Sequence, residues 1–150
     1  MFSTRKTILA LYLAVTIFTY SPRADADVTI TVINNLPHTM SFAFCWAGFD
    51  DPDDGKRGWF NVKTGETRVI TFDEVSYRLS SESFGYYAQG GQTAWGGNLR
   101  QVVIDPKKAF RGHPDDPIEG GVTVGFRKVN LKDGDEDGDN GIATLTFNPK

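Results

Sequence analysis

Val28-Thr29-Ile30-Thr31-Val32 alternates branched apolar side chains with threonine, and a period of two recurs through most of the chain while helical periodicity is nearly absent. Successive side chains on a strand point to opposite faces, so such a chain is confined to pleated sheet with one face of each strand buried. Asn34-Asn35-Leu36-Pro37 ends the first strand, and Thr39–Trp46 is the next. Trp59–Val62 and Thr67–Phe72 read as a hairpin over 58–72, with Gly65 supplying the positive φ of its turn. Ser76–Leu79 and Phe84–Ala88 are further strands, and the glycines around Trp95 mark a loop. Val102-Val103-Ile104 is expected in the interior of a sheet, and Pro106 opens one helical turn over 105–110. Val122–Val129 and Ile142–Phe147 form a last hairpin across an acidic, glycine-rich loop. About eight short strands separated by turns predict an all-β fold, an antiparallel β-sandwich or small barrel, as one domain over 27–150.

The preceding stretch, 1–26, is expected to be a signal peptide helix. Arg5 and Lys6 form a basic head, Thr7–Tyr20 is an uncharged apolar run, and Ala24-Asp25-Ala26 is a small-x-small cleavage site. The apolar run is shorter than the roughly 20 residues a bilayer span needs. Export to the periplasm or beyond the cell is the expected address, with no membrane span left after cleavage.

Exported domains often rely on disulfides, yet Cys45 is the one cysteine of the chain. In Met40–Trp46 alternation puts Phe42 and Phe44 on one face and Cys45 on the other, so the thiol is read as a small buried hydrophobe. A nucleophilic role needs a neighbouring base, and nothing local brings His38 or His113 to it. The net charge of −3 becomes more negative once Arg5, Lys6 and Arg23 are removed, which argues against a nucleic-acid partner.

Four separated stretches carry a family resemblance. Gly58-Trp59-Phe60-Asn61-Val62-Lys63-Thr64-Gly65 is the first, and Tyr86-Tyr87-Ala88 followed by Trp95-Gly96-Gly97 is the second. Val103–Phe110 and Gly125-Phe126-Arg127-Lys128-Val129 complete the series. In that order they resemble a family of small exported bacterial proteins classed as domain of unknown function ten-thirty-six, over about residues 28–131. The resemblance implies export and a compact fold, and transfers no activity. Members commonly carry cysteines at the positions matching Asn34 and Val103, so the disulfides implied for them are absent here.

Two groups of residues are candidate sites. Asp133-Gly134-Asp135-Glu136-Asp137-Gly138-Asp139 contains the front half of a calcium loop, with side chains of Asp133, Asp135 and Asp137 and the carbonyl of Asp139 as possible Ca2+ ligands. The bidentate glutamate expected at position twelve is Thr144, and the alternative reading is a solvated hairpin tip that blocks edge pairing. The acidic loop 50–54 has no regular oxygen spacing. The second group is aromatic: Tyr87 and Trp95 are candidates for stacking on a glycan or a protein partner, while Trp46 and Trp59 are assigned to the core. No nucleophile elbow, metalloprotease helix, phosphate loop or Cys/His metal spacing is present. Carboxylate pairs such as Glu74 with Glu82 leave a weak hydrolase as the remaining catalytic alternative. The leading expectation is a non-catalytic exported domain that works by surface recognition; a calcium-stabilised module is the alternative.

Overall fold

Strand β1 (Asp27–Asn34) follows the alternation closely: Val28, Ile30 and Val32 are fully buried, and Thr29, Thr31 and Ile33 face outward. The computed structural model describes residues 27–47, 54–73, 75–136 and 139–150. The expected leader over 1–26, most of the acidic loop 50–54, Glu74 and Asp137 lie outside the described residues.

Two sheets pack face to face as an all-β sandwich, the larger one rolled toward a half-barrel. The smaller sheet has the order β10 (Lys132–Asp133), β11 (Gly141–Phe147), β1, β4 (Thr67–Asp73). In it β1 runs antiparallel to β4 and parallel to β11. The larger sheet is built on β2 (Met40–Trp46), β3 (Gly55–Val62) and β5 (Gly85–Gly90). Around them lie β6 (Thr93–Trp95), β7 (Arg100–Ile104), β8 (Phe110–Gly112) and β9 (Val122–Lys128). Its order is β7-β9-β5-β2-β3-β8, with β6 paired to β5.

The alternation on β1 has a counterpart across the smaller sheet. Register places Thr67, Val69 and Thr71 of β4 and Ile142, Thr144 and Thr146 of β11 on the same outer face as Thr29, Thr31 and Ile33. Every one of these side chains is β-branched and uncharged, the type that packs best on a pleated surface. The inner face carries Val28, Ile30, Val32, Ile70 and Phe72 into the main core, where they meet Phe42, Phe44, Phe84 and Tyr86.

Strand β2 is buried on both sides. Phe42 and Phe44 point into the main core, and Ala43 and Cys45 point into a second one with Val102, Ile104 and Phe126. The curl of the larger sheet makes this second core possible, because β7 and β9 fold back over the face that the smaller sheet does not cover.

Several expected elements differ. The hairpin over 58–72 does not form: β3 and β4 belong to different sheets and face each other across the core, with the Phe60 and Phe72 rings 5.8 Å apart. Their turn is held by β1 instead, through Gly65 N to Asn34 O at 2.7 Å and Asn34 N to Glu66 O at 3.0 Å. Likewise β9 and β11 do not pair; the acidic loop instead joins β10 to β11. Ser76–Leu79 is not a strand, because Tyr77–Ser80 forms a helical turn, α1, with Ser80 N bonded to Ser76 O. A four-residue stretch is too short for period to separate the two states.

The Val102–Ile104 run lies on β7, at the end of the sheet and not in its interior. It is apolar because the curl encloses it. Residues 105–108 form a bend in place of a helical turn, closed by the Asp105 carboxylate, which accepts from Lys107 N and Lys108 N at 2.8 Å each. Those two bonds hold the Asp105 carboxyl below its ordinary range. Finally, the expected loop around Trp95 contains strand β6.

Candidate functional site

The four stretches that carry the family resemblance converge on the larger sheet. Phe126 lies in its second core, and Trp59, Tyr87 and Phe110 pack against it. Trp59 also donates its indole N–H to the Asp105 carbonyl at 2.8 Å. Segment 96–99 runs along β9, through Gly97 N to Gly125 O and Leu99 N to Phe126 O. A Cβ at Gly125 would collide with the Gly97 carbonyl, so glycine is required by the close approach of two backbones.

This arrangement separates the two aromatic candidates. Tyr87 is half-buried, its ring centroid 6.2 Å from those of Trp59 and Phe126. Trp95 is registered with Ala88, the next residue along β5, and therefore shares the opposite face. Tyr87 and Trp95 do not form one stacking platform.

Trp95 instead stands over the end of the main core, edge-on to Phe147 at 5.6 Å. It lines a depression of about 340 Å3 together with Tyr86, Arg127, Phe147, Asn148 and the 144–146 stretch of β11. Strands β5 and β6 bring the rings of Tyr86 and Trp95, and the end of β11 adds Phe147. Strand β9 brings Arg127, whose Nε donates to the Gly96 carbonyl at 3.2 Å, leaving its terminal amines toward solvent. Strand β11 borders the depression with its 144–146 stretch, whose threonine side chains lie on the outer face of the sheet. Just beyond it stands Asn148, whose Oδ1 accepts from Asn35 Nδ2 at 2.7 Å. An apolar ring wall beside a guanidinium and an amide suits a ligand with one flat apolar face and a polar edge. Of these groups only Trp95 was expected at a site. Arg127 and Asn148 carry no local signal, since charges and amides at strand ends read as ordinary surface.

The acidic loop is tied together by its own hydrogen bonds. Asp135 accepts from Asp139 N at 3.1 Å and from the Asn140 side-chain amide, while Asp133 accepts from Asp135 N at 3.2 Å. The Asp139 carbonyl, expected as a cation ligand, accepts from Tyr77 N at 3.3 Å. Asp137 is outside the described residues. Among the described residues no group of three or more histidine, cysteine or carboxylate side chains is placed to hold a metal ion.

Cys45 is buried, and desolvation pushes its thiol up to about 12, against a partly opposing Arg100 charge. Thiolate chemistry needs the opposite shift. Nearby, Arg100 bridges Asp54 at 3.3 Å and Asp115 at 3.2 Å, and His113 lies 3.8 Å from Asp54. Lys56 is also buried, its Nζ donating to the carbonyls of Val103, Pro114 and Asp116. Burial lowers its affinity for the proton, and the carboxylates of Asp116 and Asp115 work against that shift. These groups brace the closure of the curled sheet. Among the described residues no helix is long and apolar enough to cross a membrane.

Comparison with family models, curated proteins and solved structures returned no match.

Proposed function

We propose that this chain is an exported, non-catalytic β-domain that works by surface recognition of a glycan or a protein in the cell envelope or outside the cell. The observation that carries the reading is the depression beside Trp95, where ring surfaces, Arg127, the Asn148 amide and the 144–146 stretch of β11 meet from four strands. Such a mixture of flat apolar and directional polar groups is how a rigid β-scaffold holds a sugar ring or a partner side chain. The leader-like 1–26 stretch and the resemblance to small exported bacterial proteins support the location. The absence of a sequence motif for nucleophilic or metal chemistry, and the elevated thiol of Cys45, favour binding over catalysis.

The test is a glycan array and an envelope-fraction pull-down with the protein and with Trp95→Ala and Arg127→Gln variants. Retention of a ligand by the parent and its loss in both variants is the expected result. Capture that survives both substitutions, or no capture at all, overturns the reading.

A further inference from the structure

Three arginines distant in sequence meet where β3 and β8 of the larger sheet approach β4 of the smaller. Arg57 and Arg111 are directly registered partners on β3 and β8, both exposed. Like charges opposite one another on neighbouring strands repel, and the arrangement costs stability unless an anion bridges them. Arg68 of β4 comes from the other side. Its guanidinium carbon sits 5.8 Å from the centre of the Phe60 ring, and that of Arg57 sits 5.2 Å from the same ring. Arg68 spends one N–H on the Asn61 carbonyl at 2.6 Å, which fixes its direction. No carboxylate among the described residues pairs with any of the three, although the chain as a whole is acidic.

Two depressions flank the registered pair. The larger, about 440 Å3, is lined by all three arginines with Trp59, Phe60 and Phe110, and among the described residues no acidic side chain lines it. The smaller, about 300 Å3, shares Arg57 and Arg111 and is lined also by Trp46, Phe72 and one carboxylate, Asp73. Guanidinium groups match carboxylate and sulfate oxygens two at a time, and half-buried rings beside them offer a surface for the apolar face of a pyranose.

We infer that the Arg57–Arg68–Arg111 patch binds an acidic polysaccharide, with sulfate or carboxylate groups held between Arg57 and Arg111 and the sugar ring laid against the neighbouring aromatics. Two depressions sharing one arginine pair favour a repeating polyanion over a single small anion. The site shares no lining residue with the Trp95 depression, so the two readings stand or fall separately.

Size-fractionated heparin, a sulfated and uronate-rich chain, is the probe, titrated into the protein at low ionic strength beside dextran and a single-stranded oligonucleotide of matched charge. The protein should bind heparin and ignore dextran, and affinity should fall steeply with salt as counterions are released. Arg57→Gln with Arg111→Gln should weaken binding by about tenfold or more and flatten the salt dependence. Both positions are exposed, so thermal melting should remain close to that of the parent. The Trp95→Ala variant should bind heparin unchanged. Absence of heparin binding, or equal affinity in the double variant, overturns the proposal. Oligonucleotide binding as tight as heparin binding overturns it too, because the patch would then be reading charge without sugar.

Discussion

The Lys56 ammonium donates to the Val103 carbonyl at 3.0 Å, and this bond ties β7, one end strand of the larger sheet, to β3, the strand next to its other end. Two more carbonyls, those of Pro114 and Asp116, fill the remaining donor positions at 3.3 and 2.7 Å. A buried ammonium satisfied by three backbone acceptors does here the work that continuous strand pairing does in a closed barrel.

Replacing Lys56 with methionine keeps much of the volume but leaves three carbonyls without their donor. We expect a loss of about 3 kcal/mol, since each buried unsatisfied group costs roughly 1–3 kcal/mol and some gain water. Amide hydrogen exchange should quicken on β7 and β8 while β1 stays protected. Uniform loss of protection across both sheets would show that the brace does not act locally.

Cys45 gives a pH signature. Its thiol keeps its proton to about 12 in the folded chain, against an ordinary 9.0, so the folded state binds more protons between those values. The stability this provides is complete below about pH 9 and is lost as pH rises toward 12, at about 1.4 kcal/mol per pH unit. Denaturant unfolding should therefore weaken more steeply between pH 9 and 10.5 in the parent than in Cys45→Ala. A thiol reagent at pH 8 should label Cys45 only at the rate of global opening. Rapid labelling without denaturant would contradict the burial.

Asn34 is fully buried at the end of β1, donating to His38 O and Val62 O at 2.9 Å each and accepting from Leu36 N at 3.0 Å. It thus ties the smaller sheet to β3 of the larger. Asn34→Ala should cost about 2–4 kcal/mol, because several backbone groups lose their partner in a dry site. Asn34→Asp should be no better, since a carboxylate cannot donate to the two carbonyls. A melting temperature within about 2 °C of the parent for either variant would remove Asn34 from the set of structural anchors.

The Asp135 carboxylate closes the acidic loop by accepting from Asp139 N and the Asn140 amide. Asp135→Ala is expected to lower stability by about 1–2 kcal/mol, equally with calcium and with chelator. A parent melting temperature that rises with calcium, and does not in the variant, would assign the loop to the cation instead.

Position in the sequence decided which side chains face inward, because alternation is a local property. Thr29 and Thr31 against Val28, Ile30 and Val32 is legible from five residues, and so is the opposition of Phe42 and Phe44 to Cys45. The all-β sandwich and the buried thiol follow from that. Which strands would neighbour one another was not legible. The turn at Gly65 serves a hairpin or an arch between sheets equally well, and only the docking of that turn on Asn34 selects the arch.

The same limit governs the sites. Tyr87 and Trp95 look alike as ring-bearing residues near glycines, yet pairing β6 with β5 sends them to opposite faces. Arg57, Arg68 and Arg111 are ordinary solvated charges until β3, β4 and β8 bring them to one depression beside Phe60. Side-chain facing depends on the next residue and is written in the chain; partner choice depends on contacts between segments far apart in sequence, and only the folded packing resolves it.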